Sequence, residues 1–206
     1  MHFNMMNMFA TPLYKASLGR EFTAQEIACF QKLLKGATPA ISNYASVNKR
    51  VLNSPELSDL RQVLEQHLAS YFKTVYNSAN QVCLQPTQSW LTLSRKGESH
   101  HPHTHPNSVV SGVLYINVAA EDGISFHRNE DHVWHELLPA QENYFNAKRY
   151  FVQTLIGDIL LFPSHVRHSV REVTEDIERV SLSFNTFFSG MLGQEEFSNF
   201  LKVSIE

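Results

Sequence analysis

At Gln81 the spacing of apolar residues changes from about 3.6 to about 2, and it holds near 2 almost to the end of the chain. Before the switch, Thr23-Ala24-Gln25-Glu26 has the form of a capping box. It opens a helix with Ile27, Phe30, Leu33 and Leu34 at core-facing spacing, and Gly36 suits its stop. Ser54 and Pro55 suit the N-cap and first position of a second helix. Its Leu57, Leu60, Leu64, Leu68 and Phe72 form the stripe of a helix packed on a sheet. One short strand, over 9–16, precedes both helices. After the switch, strands are predicted over 82–84, 90–94, 109–118, 124–127, 133–137, 151–155, 159–162, 168–173 and 179–188, with a closing helix over 194–201. Helices first and many short strands afterwards predict an α+β, mainly β chain built on an antiparallel sandwich or barrel.

The strands frame an unusual run, His100-His101-Pro102-His103-Thr104-His105-Pro106. On an extended strand, side chains at i and i+2 share a face, with Cα atoms roughly 6.5 Å apart. Two imidazoles so placed can converge on one cation at about 2.0–2.1 Å. His103 with His105 is one such pair, and His101 with His103 is another. Pro102 and Pro106 lack an N–H, which suits an edge strand and an accessible site. A later strand brings back His168 as a third candidate ligand. Imidazole suits zinc, copper, iron and nickel alike, so the ligands alone do not choose the metal. His2, His67, His127, His132, His135 and His165 show no partner pattern and read as surface or supporting residues.

A chain of 206 residues is most naturally one domain, with residues 1–80 as a helical support region, 81–190 as the β core and 191–206 as a C-terminal helix or tail. A net charge of −3 and a pI near 6.4 give no basic stripe, so phosphate-neutralising nucleic-acid binding is not indicated. Cys29 and Cys83 stand without a motif and read as buried thiols of a reducing compartment. The first ten residues lack the charged and apolar regions of a signal peptide, and no run reaches the ~20 apolar residues of a membrane span. The expected location is cytoplasmic.

Four segments carry a family resemblance: His103 to Ser108, Ser111 to Tyr115, Gly157 to Ser164, and Arg179-Val180-Ser181-Leu182-Ser183-Phe184-Asn185. With these motifs the chain resembles the 2-oxoglutarate- and Fe(II)-dependent oxygenase superfamily, in a small branch that shares them. The resemblance implies a double-stranded β-helix (jelly roll) with iron at its open end. It implies that His103 and His168 are iron ligands, and that His105 stands where the superfamily usually has a carboxylate. It also implies that Arg179 pairs with the distal carboxylate of the cosubstrate 2-oxoglutarate, that Ser181 donates to the same group, and that Tyr115 reaches it. Arginine's planar fork suits a bidentate carboxylate partner. Hydroxylation of a small molecule or a protein side chain is the implied outcome, and jelly rolls of this kind often form homodimers.

The departure at His105 leaves three ligand sets open: His105 itself, a carboxylate such as Glu98 or Asp122, or His101 with His103. Two other functions compete. A three-histidine cupin would be a metal dioxygenase needing no 2-oxoglutarate. Gly157, Pro163 and His168 fit the spacing of its second motif, but Val109 stands where its first motif needs a glutamate. A non-catalytic metal-binding jelly roll would explain the histidines and leave Arg179 and Ser181 without a reason. The 129–150 segment, rich in charge and aromatics, reads either as a substrate-recognition loop or as a packing hairpin.

Overall fold

The structure, a computed structural model, describes residues 2–129 and 134–205. In chain order the elements are β1 (Tyr14–Ser17), α1 (Ala24–Leu34), β2 (Thr38–Pro39), β3 (Tyr44–Ala45), α2 (Ser58–Val75), β4 (Val82–Ser94), β5 (His100–His103), β6 (Val110–Asn117), β7 (Gly123–His127), β8 (Arg149–Gln153), β9 (Asp158–Pro163), β10 (His168–Val170), β11 (Arg179–Leu192) and β12 (Leu201–Val203). The larger sheet runs β1-β9-β6-β11-β4-β3-β2, with β12 also paired to β11, and the smaller runs β5-β10-β7-β8. All their ladders are antiparallel.

Period-2 alternation sends each central strand into two different cores. On β9, Ile159 and Leu161 face the helices, whereas Leu160 and Phe162 enter the layer between the sheets. Both faces are thus covered, and the strand reads as an unbroken apolar run. On the helix side, Leu57, Leu60, Leu64 and Leu68 bury fully against Leu91, Leu114 and Leu182. The inter-sheet layer is smaller and holds Tyr115, Ile124 and Phe126. Along β11 the apolar Val180, Leu182 and Phe184 face the helices. The alternate residues, Arg179, Ser181 and Ser183, face the layer between the sheets.

α1 starts as its sequence requires. The Thr23 hydroxyl accepts from the Glu26 amide (3.2 Å) and the Glu26 carboxylate accepts from the Thr23 amide (2.8 Å). Glu26 also pairs with Arg20 at 2.6 Å, which draws it inward with Cys29 and Phe30. Ile27 is consequently turned out to solvent, against expectation, and Leu33 and Leu34 are only half-buried. Ser54 makes no side-chain cap; a 3-10 turn, Pro55–Leu57, leads into α2 instead.

Several other expectations are corrected. The two strands expected over 82–84 and 90–94 are one strand, β4, because Pro86 sits opposite Thr186 at a register shift, where its missing N–H costs no ladder bond. The closing helix is absent among the described residues: Gly193 and Ser198 both take positive φ, leaving a 3-10 turn, Glu195–Phe197, before β12. Of the strand expected over 133–137, Val133 lies outside the described residues and 134–137 are irregular. His132 also lies outside the described residues. Cys29 is buried as expected, but Cys83 is exposed on β4. Residues 1–80 supply the helices and also three short strands of the larger sheet. No described helix is long and apolar enough to cross a membrane.

Candidate metal centre

β5 is an edge strand, as Pro102 suits, and pairs only with β10 among the described residues. That pairing sets His103 directly opposite His168, with ring centroids 4.4 Å apart. His105 follows β5 in a short loop, anchored by its amide to the Ser164 carbonyl (3.0 Å) at the end of β9. Its Nε2 lies 3.2 Å from His168 Nε2, and the two rings are stacked at 10°. The ligand atoms of His103, His105 and His168 all fall within 4.8 Å of one another.

The nitrogens facing the cluster are fixed by what the other ring nitrogens do. His103 Nδ1–H donates to the His101 carbonyl (2.8 Å) and His168 Nδ1–H to the Val166 carbonyl (2.9 Å). A carbonyl only accepts, so both Nδ1 atoms carry the proton and both Nε2 atoms present lone pairs. Burial, reinforced by the neighbouring imidazoles, pushes His168 down to about 3 and His105 down to about 4, and burial lowers His103. All three are neutral near pH 7, the form that binds a cation. Nitrogens bound to one ion at 2.0–2.1 Å stand roughly 2.9–3.4 Å apart, and the observed 3.2 Å contact lies in that span. The donor set fits a divalent transition metal.

His101 does not join the cluster. The β5–β10 register shifts between His168 and Val170, and this irregularity turns His100 to the pocket instead. His100 stacks on His103 with centroids 4.3 Å apart, and burial takes it down to about 3. A strict i, i+2 reading missed it because a bulge changes which residues share a face. Glu98 is engaged by the Arg95 amide, and Asp122 by Arg179, so neither carboxylate is presented to the histidines.

Arg179, Ser181 and Tyr115 line the same pocket as the histidines, beside Trp90 and Ile124. Arg179 is buried and donates from Nε to Asp122 Oδ2 at 2.6 Å, a pair that joins the two sheets. The guanidinium carbon stands 5.6 Å from the centre of the Tyr115 ring. Tyr115 and Thr154 each bury a hydroxyl that makes no well-formed hydrogen bond among the described residues, although the two lie within reach of each other. Burial pushes the Tyr115 phenol up, so it remains a donor at neutral pH. Buried hydroxyls of this kind call for an acceptor. The pocket is narrow, with a cavity of about 30 Å³.

The serines and asparagine of the quoted motifs form a second buried group. Ser111 Oγ meets Ser164 Oγ at 2.8 Å and Asn185 Oδ1 at 3.1 Å, and Ser164 Oγ meets Ser108 Oγ at 2.7 Å. Together they tie β6, β11 and the end of β9 to the loop that carries His105. Sequence reasoning quoted these residues without giving them a task; their task is to hold that loop.

Fold and site together define a double-stranded β-helix whose pocket can hold a cation. Over residues 88–185 the chain matches the family model described as "Putative 2OG-Fe(II) oxygenase". No curated protein matches it. An oxidoreductase of the 2OG-Fe(II) oxygenase family from Burkholderia pseudomallei is 16% identical, with 80% of this chain and 79% of that one covered and a TM-score of 0.54. HygX from Streptomyces hygroscopicus, solved with nickel, 2-oxoglutarate and hygromycin B, is 14% identical over 85% of this chain and 82% of that one, with a TM-score of 0.55. A Pseudomonas putida prolyl-4-hydroxylase is 14% identical over 85% of this chain and 92% of that one, also at 0.55. At such identities the likeness establishes the fold, and the model match covers somewhat less than half of the chain.

Proposed function

We propose that this chain, acting as one unit, is an Fe(II)- and 2-oxoglutarate-dependent oxygenase that hydroxylates a small molecule or a protein side chain. The observation that carries this reading is one pocket holding three neutral, convergent histidines together with a buried arginine and serine. His103, His105 and His168 would hold the metal. Arg179, Ser181 and Tyr115 would take the distal carboxylate of the cosubstrate. When bound, iron and the oxoacid supply dioxygen activation, with 2-oxoglutarate leaving as succinate and carbon dioxide while one oxygen atom goes to a substrate C–H bond.

The chain's own contribution is orientation and exclusion of water. The carbonyls of His101 and Val166 hold the two Nε2 lone pairs in place. Ile124 and Val170 supply apolar walls. β7 ends at His127, one residue beyond the Phe126 that pairs with His168, so the β7–β8 connection leaves the sheet at the histidine end. That connection exposes Trp134, Leu137, Leu138, Tyr144 and Phe145, and we assign substrate selection to it.

The test is anaerobic addition of Fe(II) and 2-oxoglutarate to the metal-free protein, reading the weak visible charge-transfer band of the chelate. A band in the wild type, weakened in Arg179→Ala and lost in His168→Ala, is the expected result. One observation favours a second reading. Arg179 already has a carboxylate partner, which suits a three-histidine dioxygenase needing no cosubstrate. Tight Fe(II) binding with no band would select that second reading.

A further inference from the structure

Arg179 and Asp122 form an ion pair whose side chains are only 3% and 5% exposed. Asp122 is itself held rigidly: its Oδ1 accepts from the Gly123 amide at 2.6 Å, its amide donates to the Ala119 carbonyl, and its carbonyl accepts from the Thr154 amide. It uses only the Nε edge of the guanidinium, and neither Nη group makes a hydrogen bond to the described residues. One edge of the fork is therefore fixed, and the other is left for a ligand in the pocket that Arg179 lines.

Formal charges give this pair a meaning. A divalent ion on two histidines and a carboxylate carries about +1, and a free arginine beside it brings the pocket to about +2. Here three neutral histidines leave the ion at about +2, and the Arg179–Asp122 pair contributes about zero, so the total is again about +2. We infer that Asp122 is the counter-charge which compensates for the histidine at position 105, and that it sets the pocket's preference for a dianionic over a monoanionic oxoacid through Arg179. The inference rests on the oxygenase reading above. It assigns Asp122 a positioning and specificity role, with no contact to the reacting atoms.

The experiment compares 2-oxoglutarate with 2-oxopentanoate, which has the same chain length and no distal carboxylate. Binding is measured calorimetrically on protein saturated with Mn(II), so no turnover is needed. Asp122→Asn keeps the size of the side chain and removes its charge. It is expected to raise the preference for 2-oxoglutarate over 2-oxopentanoate by about tenfold, since one unscreened unit charge enters a buried pocket. Asp122→Glu, which keeps the charge, is expected to hold the wild-type ratio. A ratio in Asp122→Asn that is unchanged or lower overturns the inference, because a purely structural role moves both ligands together. If the asparagine variant is not recovered folded, the smaller, neutral Asp122→Ser is read against the same ratio. Wild-type protein that binds Mn(II) but neither oxoacid overturns the oxygenase reading, and this inference with it. A wild type that binds 2-oxoglutarate with no shift in the variants sinks the inference alone.

Discussion

His105 and His168 approach through their Nε2 atoms at 3.2 Å although 63 positions separate them, and the contact joins a loop after one edge strand to the start of the neighbouring strand. His168 Nε2 is the acceptor there, and the two nitrogens stand at a spacing that one cation can share. The arrangement predicts that the ligands contribute unequally when replaced. His168→Ala removes the most buried of the three and is expected to weaken Fe(II) binding about a hundredfold or more. His105→Asp supplies another ligand atom and is expected to keep binding. Anaerobic metal titration of the two variants checks both, and equal losses would contradict the assignment.

His100 stacks on His103 and fills pocket space without joining the cluster. Its replacement by alanine is expected to leave Fe(II) affinity within about threefold of wild type and to enlarge a cavity of about 30 Å³. Bulkier 2-oxoacids should then bind better relative to 2-oxoglutarate, read by the same calorimetry. A large loss of metal would make His100 a ligand instead.

Gly112 lies across from Phe184, and a Cβ there would sit 2.1 Å from the phenyl ring. Gly112→Ala is expected to cost about 3 kcal/mol, through displacement of a fully buried ring in a packed core. Denaturant unfolding of the metal-free protein measures it. A cost below about 1 kcal/mol would mean the helix-side core gives way easily.

Acid sensitivity should have a component far from the histidines. Burial alone would raise the Glu26 carboxyl, but Arg20 and the Thr23 contacts outweigh it and hold the group below the usual carboxylate range. A carboxyl that is lowered in the folded state stabilises fully above its unfolded value of about 4.3, and that stability drains away as pH falls through the folded value. Glu26→Gln is therefore expected to be less stable near neutrality by about 1–3 kcal/mol and to flatten the stability profile below about pH 4.5. Urea midpoints across that range test the slope.

The inward face of β11 was legible residue by residue, because Arg179-Val180-Ser181-Leu182-Ser183-Phe184 alternates without interruption, and the register shift beside Val180 and Ser181 puts its extra residue on β6. His103, His105 and His168 were legible as a set for a similar reason: the first two are two positions apart, and the third starts a short strand. What escaped depended on contacts between distant segments. The ion pair of Arg179 with Asp122 spans 57 positions, and no local pattern ties a residue just before one strand to the start of another. His100 was hidden by a bulge, and the closing helix by two positive-φ residues whose cost is visible only in the backbone. Ile27 was misjudged because a charged neighbour, Glu26, had the stronger claim to the interior.

β11 lies between β6 and β4 in the larger sheet and pairs with both. During synthesis those two neighbours leave the ribosome long before the segment that must be inserted between them. Until residues 179–192 emerge, β4 and β6 present open edges, and Arg179, Ser181 and Ser183 do not yet exist on the nascent chain. The wall that Arg179, Ser181 and Ser183 supply to the pocket is therefore the last part of it to be made. A ribosome stalled just short of Arg179 would carry all the histidines of the cluster and none of the central strand that closes the wall beside them.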